Sequence, residues 1–199
     1  MRFSSIEIKD LLIAGFIISL AFAILLSGGY RALSDLETGL LIIFSIAFFT
    51  AGLGFLLHEL MHKFVAQGYG LWAEFRAYYP GLWMALIFSF FGFILAAPGA
   101  VFIHGLINKE RNGRISLAGP VTNIVLAIIF LFLVLFNRGN GVLNLFFTYG
   151  LSINALLAAF NMIPVLPFDG AKIIAWDKRI YFLTLAIALG LWLGSWILP

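Results

Sequence analysis

The chain contains no cysteine. Disulfides and thiolate metal ligands are therefore excluded, and the redox compartment stays open. Charge is also scarce: Asp, Glu, Lys and Arg make up 11% of the 199 residues, whereas 63% are hydrophobic. A soluble domain of this length cannot bury so much apolar surface, so the composition is that of an integral membrane protein. No polar stretch is long enough for a separate soluble module, and 1–199 reads as a single membrane domain. The net charge of +3 carries no nucleic-acid signal, because the basic residues sit in short loops between apolar runs and bear on topology instead. The run from Leu11 to Leu26 also lacks a small-x-small cleavage pattern. It reads as a retained first helix rather than a signal peptide.

Histidine is scarce, with three in the chain. Two fall in His58-Glu59-Leu60-Met61-His62, after a charge-free run from Gly39 to Leu57. An ionisable residue at bilayer depth is costly and marks a functional site by default. On a helix, residues four apart share a face. His58 and His62 can thus hold one metal, while Glu59 lies nearby to activate a water. In a chain of this composition the motif arises by accident roughly once in a thousand. The bland alternative is an interfacial cluster with Glu59 paired to Lys63.

The charge-free stretches are Leu11–Tyr30, Leu40–Leu57, Ala77–Ile103, Ile115–Asn137, Gly139–Phe168 and Ile180–Pro199. Spanning takes about 20 apolar residues, so five of these read as one helix each. The third is different. It opens with Tyr78-Tyr79-Pro80-Gly81, a turn signal, and closes with another break, Ala97-Pro98-Gly99-Ala100. The basic clusters Lys109/Arg111/Arg114 and Lys172/Lys178/Arg179 both belong in the cytoplasm if Leu82–Ile103 dips in and returns. The expectation is a helix of about 16 residues with an extended return at Val101-Phe102-Ile103. A full crossing is the competing topology. The fold class is therefore an all-α polytopic membrane protein of about six apolar segments. Its core is about 40–172, with a small β or re-entrant insert at about 72–107.

A two-histidine motif needs a third protein ligand. His104 is one candidate, though its position reads as structural or interfacial. Carboxylates near helix ends are the others, and among them Asp169 stands out in Asn161-Met162-Ile163-Pro164-Val165-Leu166-Pro167-Phe168-Asp169-Gly170. Two prolines three apart must open the helix near Pro164. The opened segment can swing Asp169 inward, and Gly170 permits a sharp turn after it. Asp169 could instead cap the next segment or pair with Lys172. Small residues recur at Thr50/Gly54 and at Gly119/Asn123/Ala127, as close helix packing in lipid requires. Asn123 either bridges helices or supports the site. Trp72, Tyr78, Tyr79, Trp83, Trp176 and Tyr181 read as interface anchors.

His58-Glu59-x-x-His62 followed by Asn161-x-x-Pro164-x-x-x-x-Asp169-Gly170 resembles the site-2 protease family of intramembrane zinc metalloproteases (peptidase family M50). Ala118-Gly119-Pro120-x-x-Asn123 matches that family's intervening helix. These motifs cover about Gly54 to Gly170, and the first and last helices match only as apolar spans. The resemblance implies a three-helix catalytic core and one zinc per chain held by His58, His62 and Asp169. It implies Glu59 as the catalytic acid/base, and Asn161 in contact with the substrate backbone or the oxyanion. The implied substrates are transmembrane helices of other proteins, cut in the bilayer at a site toward the cytoplasmic side. Many bacterial members carry a PDZ domain, for which this sequence has no room.

A substrate helix must unwind before its peptide bonds can be reached, and an extended substrate could add to a strand edge. Ala100–Ile103 is the candidate edge, with a packed lid as the alternative. A proline at Phe102 is expected to cut proteolysis while sparing zinc. The rivals are a membrane zinc transporter, which needs more ligands than the predicted spans offer, and an inactive helix-binding homologue, against which the intact Glu59 argues. The oligomeric state is not legible.

Overall fold

The computed structural model describes residues 3–29, 39–94, 97–137, 139 and 141–198. Its elements in order are α1 (Ser5–Leu26), α2 (Gly39–Ala47), a π turn (Phe48–Gly52), α3 (Leu53–Gly68), β1 (Trp72–Ala77), α4 (Tyr79–Phe90), β2 (Gly99–His104), α5 (Lys109–Phe136), α6 (Val142–Asn161), α7 (Asp169–Trp176) and α8 (Lys178–Gly194). The segments α2, π turn and α3 run on without a break. Among the described residues four helices are long and apolar enough to cross a bilayer: Ser5–Leu26, Leu41–Gly68, Lys109–Phe136 and Val142–Asn161. α8, the sixth apolar stretch of the sequence, has 17 residues. The helix of the second apolar stretch continues past Leu57 through the histidine motif to Gly68, as the helical spacing of His58 and His62 requires.

The chain resolves into two compact units. One comprises Leu57–Ala73 with Ile103–Pro199, the other Arg2–Leu56 with Glu74–Phe102. In the first, α5, α6, α7 and α8 pack on one another. The contacts are made by small residues: Ala158, Ala159 and Ala188 meet Ile124, and Ala127 and Ala155 meet Phe130 and Leu151. Helices in lipid gain no hydrophobic force from meeting, so small side chains that let backbones approach are what such contacts require. A Cβ at Gly150 would lie 2.4 Å from the Phe130 ring, and one at Gly113 would lie 2.4 Å from Trp176 Cβ. Trp176 therefore packs between helices, under the Arg114 guanidinium. Tyr181, expected as an interface anchor, is 3% exposed and lies in a core with Met162 and Ile173.

In the second unit α1 packs on α2, the π turn and α4. Ser4 caps α1 by accepting from the Glu7 N–H at 3.1 Å. The chain leaves β1 at Tyr78 and comes back at Pro98, where the Tyr78 N–H donates to the Pro98 carbonyl at 3.0 Å. The excursion thus returns to its starting level. Its helix is shorter than expected, 12 residues, and starts earlier, at Tyr79. Pro80 does not break the chain. It occupies the first turn, where a missing N–H costs nothing and the fixed φ suits a helix.

The extended return is longer than expected and has a partner that the sequence reading missed: β1 and β2 form a two-stranded sheet. Trp72 lies against His104 at one end, and Ala77 lies against Gly99 at the other, so the strands are antiparallel. The outer edge of β1 is sealed from α1. Glu7 accepts from the Phe75 N–H at 3.0 Å, and Asp10 accepts from the Ala77 N–H at 3.1 Å and from the Tyr79 hydroxyl at 2.8 Å. The predicted first span began after these two acids. The helix instead includes both, buried, with their oxygens committed to the sheet.

Candidate metal centre

His58 and His62 lie one turn apart on α3, 4% and 7% exposed, with Glu59, 8% exposed, beside them. α6 ends at Asn161 and α7 begins at Asp169, so the helix opens across the two prolines as their lost N–H groups dictate. Asp169 is the first residue of α7, 7% exposed, and turns back onto the two histidines. Its Oδ2 lies 3.3 Å from His58 Nε2 and 3.1 Å from His62 Nε2. Its other oxygen, Oδ1, accepts from Lys172 Nζ at 3.4 Å. The expected cluster and the pairing with Lys172 therefore coexist, one on each oxygen. Gly170 acts differently from expectation. Its φ is not positive, and a Cβ there would lie 2.3 Å from the Met162 carbonyl oxygen. It is there for close approach between the end of α6 and the start of α7.

Both imidazoles are held through Nδ1. His62 Nδ1 lies 2.7 Å from the Ile115 carbonyl, and His58 Nδ1 lies 2.6 Å from Asn123 Oδ1. A carbonyl can only accept, so His62 Nδ1 carries a proton, and in the neutral ring Nε2 is the nitrogen with the lone pair. The Ile115 carbonyl lies next to a weakened turn: Pro120 has no N–H for the Ser116 carbonyl and its ring crowds that turn. Gly119 leaves the room in front of the pair. A Cβ there would lie 2.4 Å from both Nε2 atoms. It is therefore more than a packing residue.

Among the described residues, His58, His62 and Asp169 form a group whose ligand atoms all lie within 4.8 Å of one another. Two imidazole nitrogens and one carboxylate oxygen are the three-protein-ligand set of a catalytic zinc site, with a fourth position open. A tetrahedron with zinc bonds of about 2.0–2.1 Å has edges of about 3.3 Å, and the two nitrogen–oxygen separations have that length. With both rings neutral, two nitrogen lone pairs would face the carboxylate oxygen, an arrangement that a cation between them would satisfy.

Asn161 stands at the end of α6, and its side-chain amide donates to the Leu157 carbonyl at 2.9 Å. His104 lies on β2 against Trp72, apart from the three-residue group. Sequence reasoning missed Asn154, which accepts from Asn123 at 3.1 Å and is fully buried. The signal available was an asparagine two turns inside an apolar helix.

Fold and cluster together define a protein with membrane-length helices and a buried His-His-carboxylate metal-site candidate. The chain is 41% identical over 182 residues to "Putative zinc metalloprotease MJ0611" of Methanocaldococcus jannaschii, covering 90% of this chain and 89% of that protein. It is 30% identical over 136 residues to "Zinc metalloprotease MJ0392" of the same organism, covering 67% of this chain and 34% of that protein. A shorter match, 36% over 69 residues, joins 30% of it to 32% of "Putative zinc metalloprotease YwhC" of Bacillus subtilis. No family model and no solved structure matches. The chain belongs to the site-2 protease-like family of zinc metalloproteases.

Proposed function

We propose that this protein is an intramembrane zinc endopeptidase that cuts transmembrane helices of other proteins. The observation that carries the proposal is the convergence of His58, His62 and Asp169 from α3 and α7 onto one buried point. When bound there, zinc would polarise a substrate carbonyl and make a water easier to deprotonate. Glu59, buried next to His58, would take the water's proton and pass it to the leaving amine. Asn161 has a second amide N–H to offer the substrate backbone or the oxyanion. Asn123 and the Ile115 carbonyl keep the two imidazoles turned with Nε2 toward the reacting centre. The positive-inside tendency supports a site opening toward the cytoplasm, with both basic clusters on that side.

The substrate would enter as an extended segment. With the outer edge of β1 taken by Glu7 and Asp10, the outer edge of β2 is, among the described residues, the remaining edge of this sheet. Strand addition there would hold an unwound substrate by main-chain bonds. The test is zinc content per purified chain together with cleavage of membrane-embedded substrates, using Glu59→Gln as the inactive control. About one zinc and cleavage that Glu59→Gln abolishes would support the proposal. Absence of zinc from the folded wild type would overturn it.

A further inference from the structure

His58 differs from His62 in how its proton is placed. His62 donates directly to a backbone carbonyl, whereas His58 meets the side-chain amide of Asn123. An amide can present either its oxygen or its NH2 group. If Asn123 were flipped, its NH2 would face His58 Nδ1, the proton would move to Nε2, and the metal-facing lone pair would be lost. Something must fix the amide's orientation, and α6 carries it. Asn123 Nδ2 donates to Asn154 Oδ1 at 3.1 Å, and Asn154 Nδ2 donates to the Gly150 carbonyl at 2.9 Å. The Gly150 carbonyl cannot donate, so it sets the polarity of the whole chain. Asn154 must turn its NH2 toward Gly150 and its oxygen toward Asn123. Asn123 must then turn its NH2 toward Asn154 and its oxygen toward His58. Both asparagines are 0% exposed, so no solvent competes for these bonds, and a wrong orientation leaves buried polar atoms facing like partners.

We infer that Asn154 is a positioning residue: through the amide of Asn123 it fixes His58 in the tautomer that leaves Nε2 free for metal. The inference rests on the zinc site proposed above. It also follows that Asp at position 123 would dispense with Asn154, because a carboxylate accepts through either oxygen and has no wrong face.

The test is zinc affinity by chelator competition on purified, metal-stripped protein, with the 15N NMR signature of the His58 tautomer as a second readout. Asn154→Leu should weaken zinc binding about 10- to 100-fold, the usual effect of losing a residue that orients a ligand, and should put part of the His58 proton on Nε2. Asn123→Asp added to Asn154→Leu should restore both. Asn154→Ala serves at matched helicity if the leucine variant does not fold. A packing role for Asn154 would not be rescued from position 123, so equal loss in single and double variants overturns the inference. So does unchanged affinity in Asn154→Leu while the wild type binds zinc, a result that leaves the protease proposal standing. A folded wild type that binds no zinc overturns both.

Discussion

Gly119 faces His62 so closely that a single added methyl group would lie 2.4 Å from its Nε2, and equally close to that of His58. The glycine belongs to a different helix, α5, and its missing side chain leaves open the space against both Nε2 atoms. Gly119→Ala should therefore abolish zinc binding, since the methyl would push the two imidazoles out of place, while the contacts of α5 with α6 and α8, made by other residues, remain. Zinc content measured beside circular dichroism checks this. Full zinc occupancy in the alanine variant would mean that the metal lies elsewhere.

Asp169→Asn should lower zinc affinity by more than about 100-fold, beyond the usual cost of losing a residue that only orients a ligand. The side chain keeps its shape but loses the charge that faces both imidazoles. Wild-type affinity in this variant would remove α7 from the site.

Glu59→Gln should retain zinc and lose about 10²- to 10⁴-fold of the proteolytic rate, the usual weight of a general base. Single-turnover cleavage in detergent, with zinc content determined on the same sample, separates the two effects. Loss of metal would instead assign Glu59 to the coordination sphere.

The antiparallel ladder alternates between residues that bond inward and residues that bond outward. Tyr78 bonds Pro98 across the sheet, while Phe75 and Ala77 turn their N–H groups away from it. By that alternation Phe102 points its N–H toward β1, and Val101 points its N–H toward the outer edge of β2. A proline at Phe102 would thus damage the sheet itself and is a poor probe of substrate binding. Val101→Pro is the informative change, because proline is tolerated where the lost N–H faces outward. It should raise KM for a transmembrane substrate about tenfold or more with zinc retained. Unchanged cleavage would exclude strand addition at this edge.

Glu7→Ala should destabilise the fold by about 1–3 kcal/mol, since it removes a charged acceptor from the buried Phe75 N–H. The thermal unfolding midpoint measures it. Zinc affinity per folded chain should not change.

The candidate cluster was legible because His58, His62 and Asp169 each lie in a short local pattern with its own physical signature: helical spacing for the first two, a proline-broken helix for the third. β1 was not legible. Trp72-Ala73-Glu74-Phe75-Arg76-Ala77 has no strict alternation, and its partner strand lies beyond α4. Glu7 and Asp10 looked like acids ahead of a span, because their partners, Phe75 and Ala77, are far along the chain. The role of Asn154 depends on an orientation handed from Gly150 to His58 across two helices, which no local pattern records.

His58 and His62 ride on one rigid helix, but Asp169 reaches them from beyond the helix-free segment 162–168. An ion held by all three would act as a clasp, closing that segment against α3. The folded state should then be most brittle where the clasp is undone. Stripping the metal should make the chain newly sensitive to limited proteolysis between Ile163 and Phe168, long before the helices themselves melt.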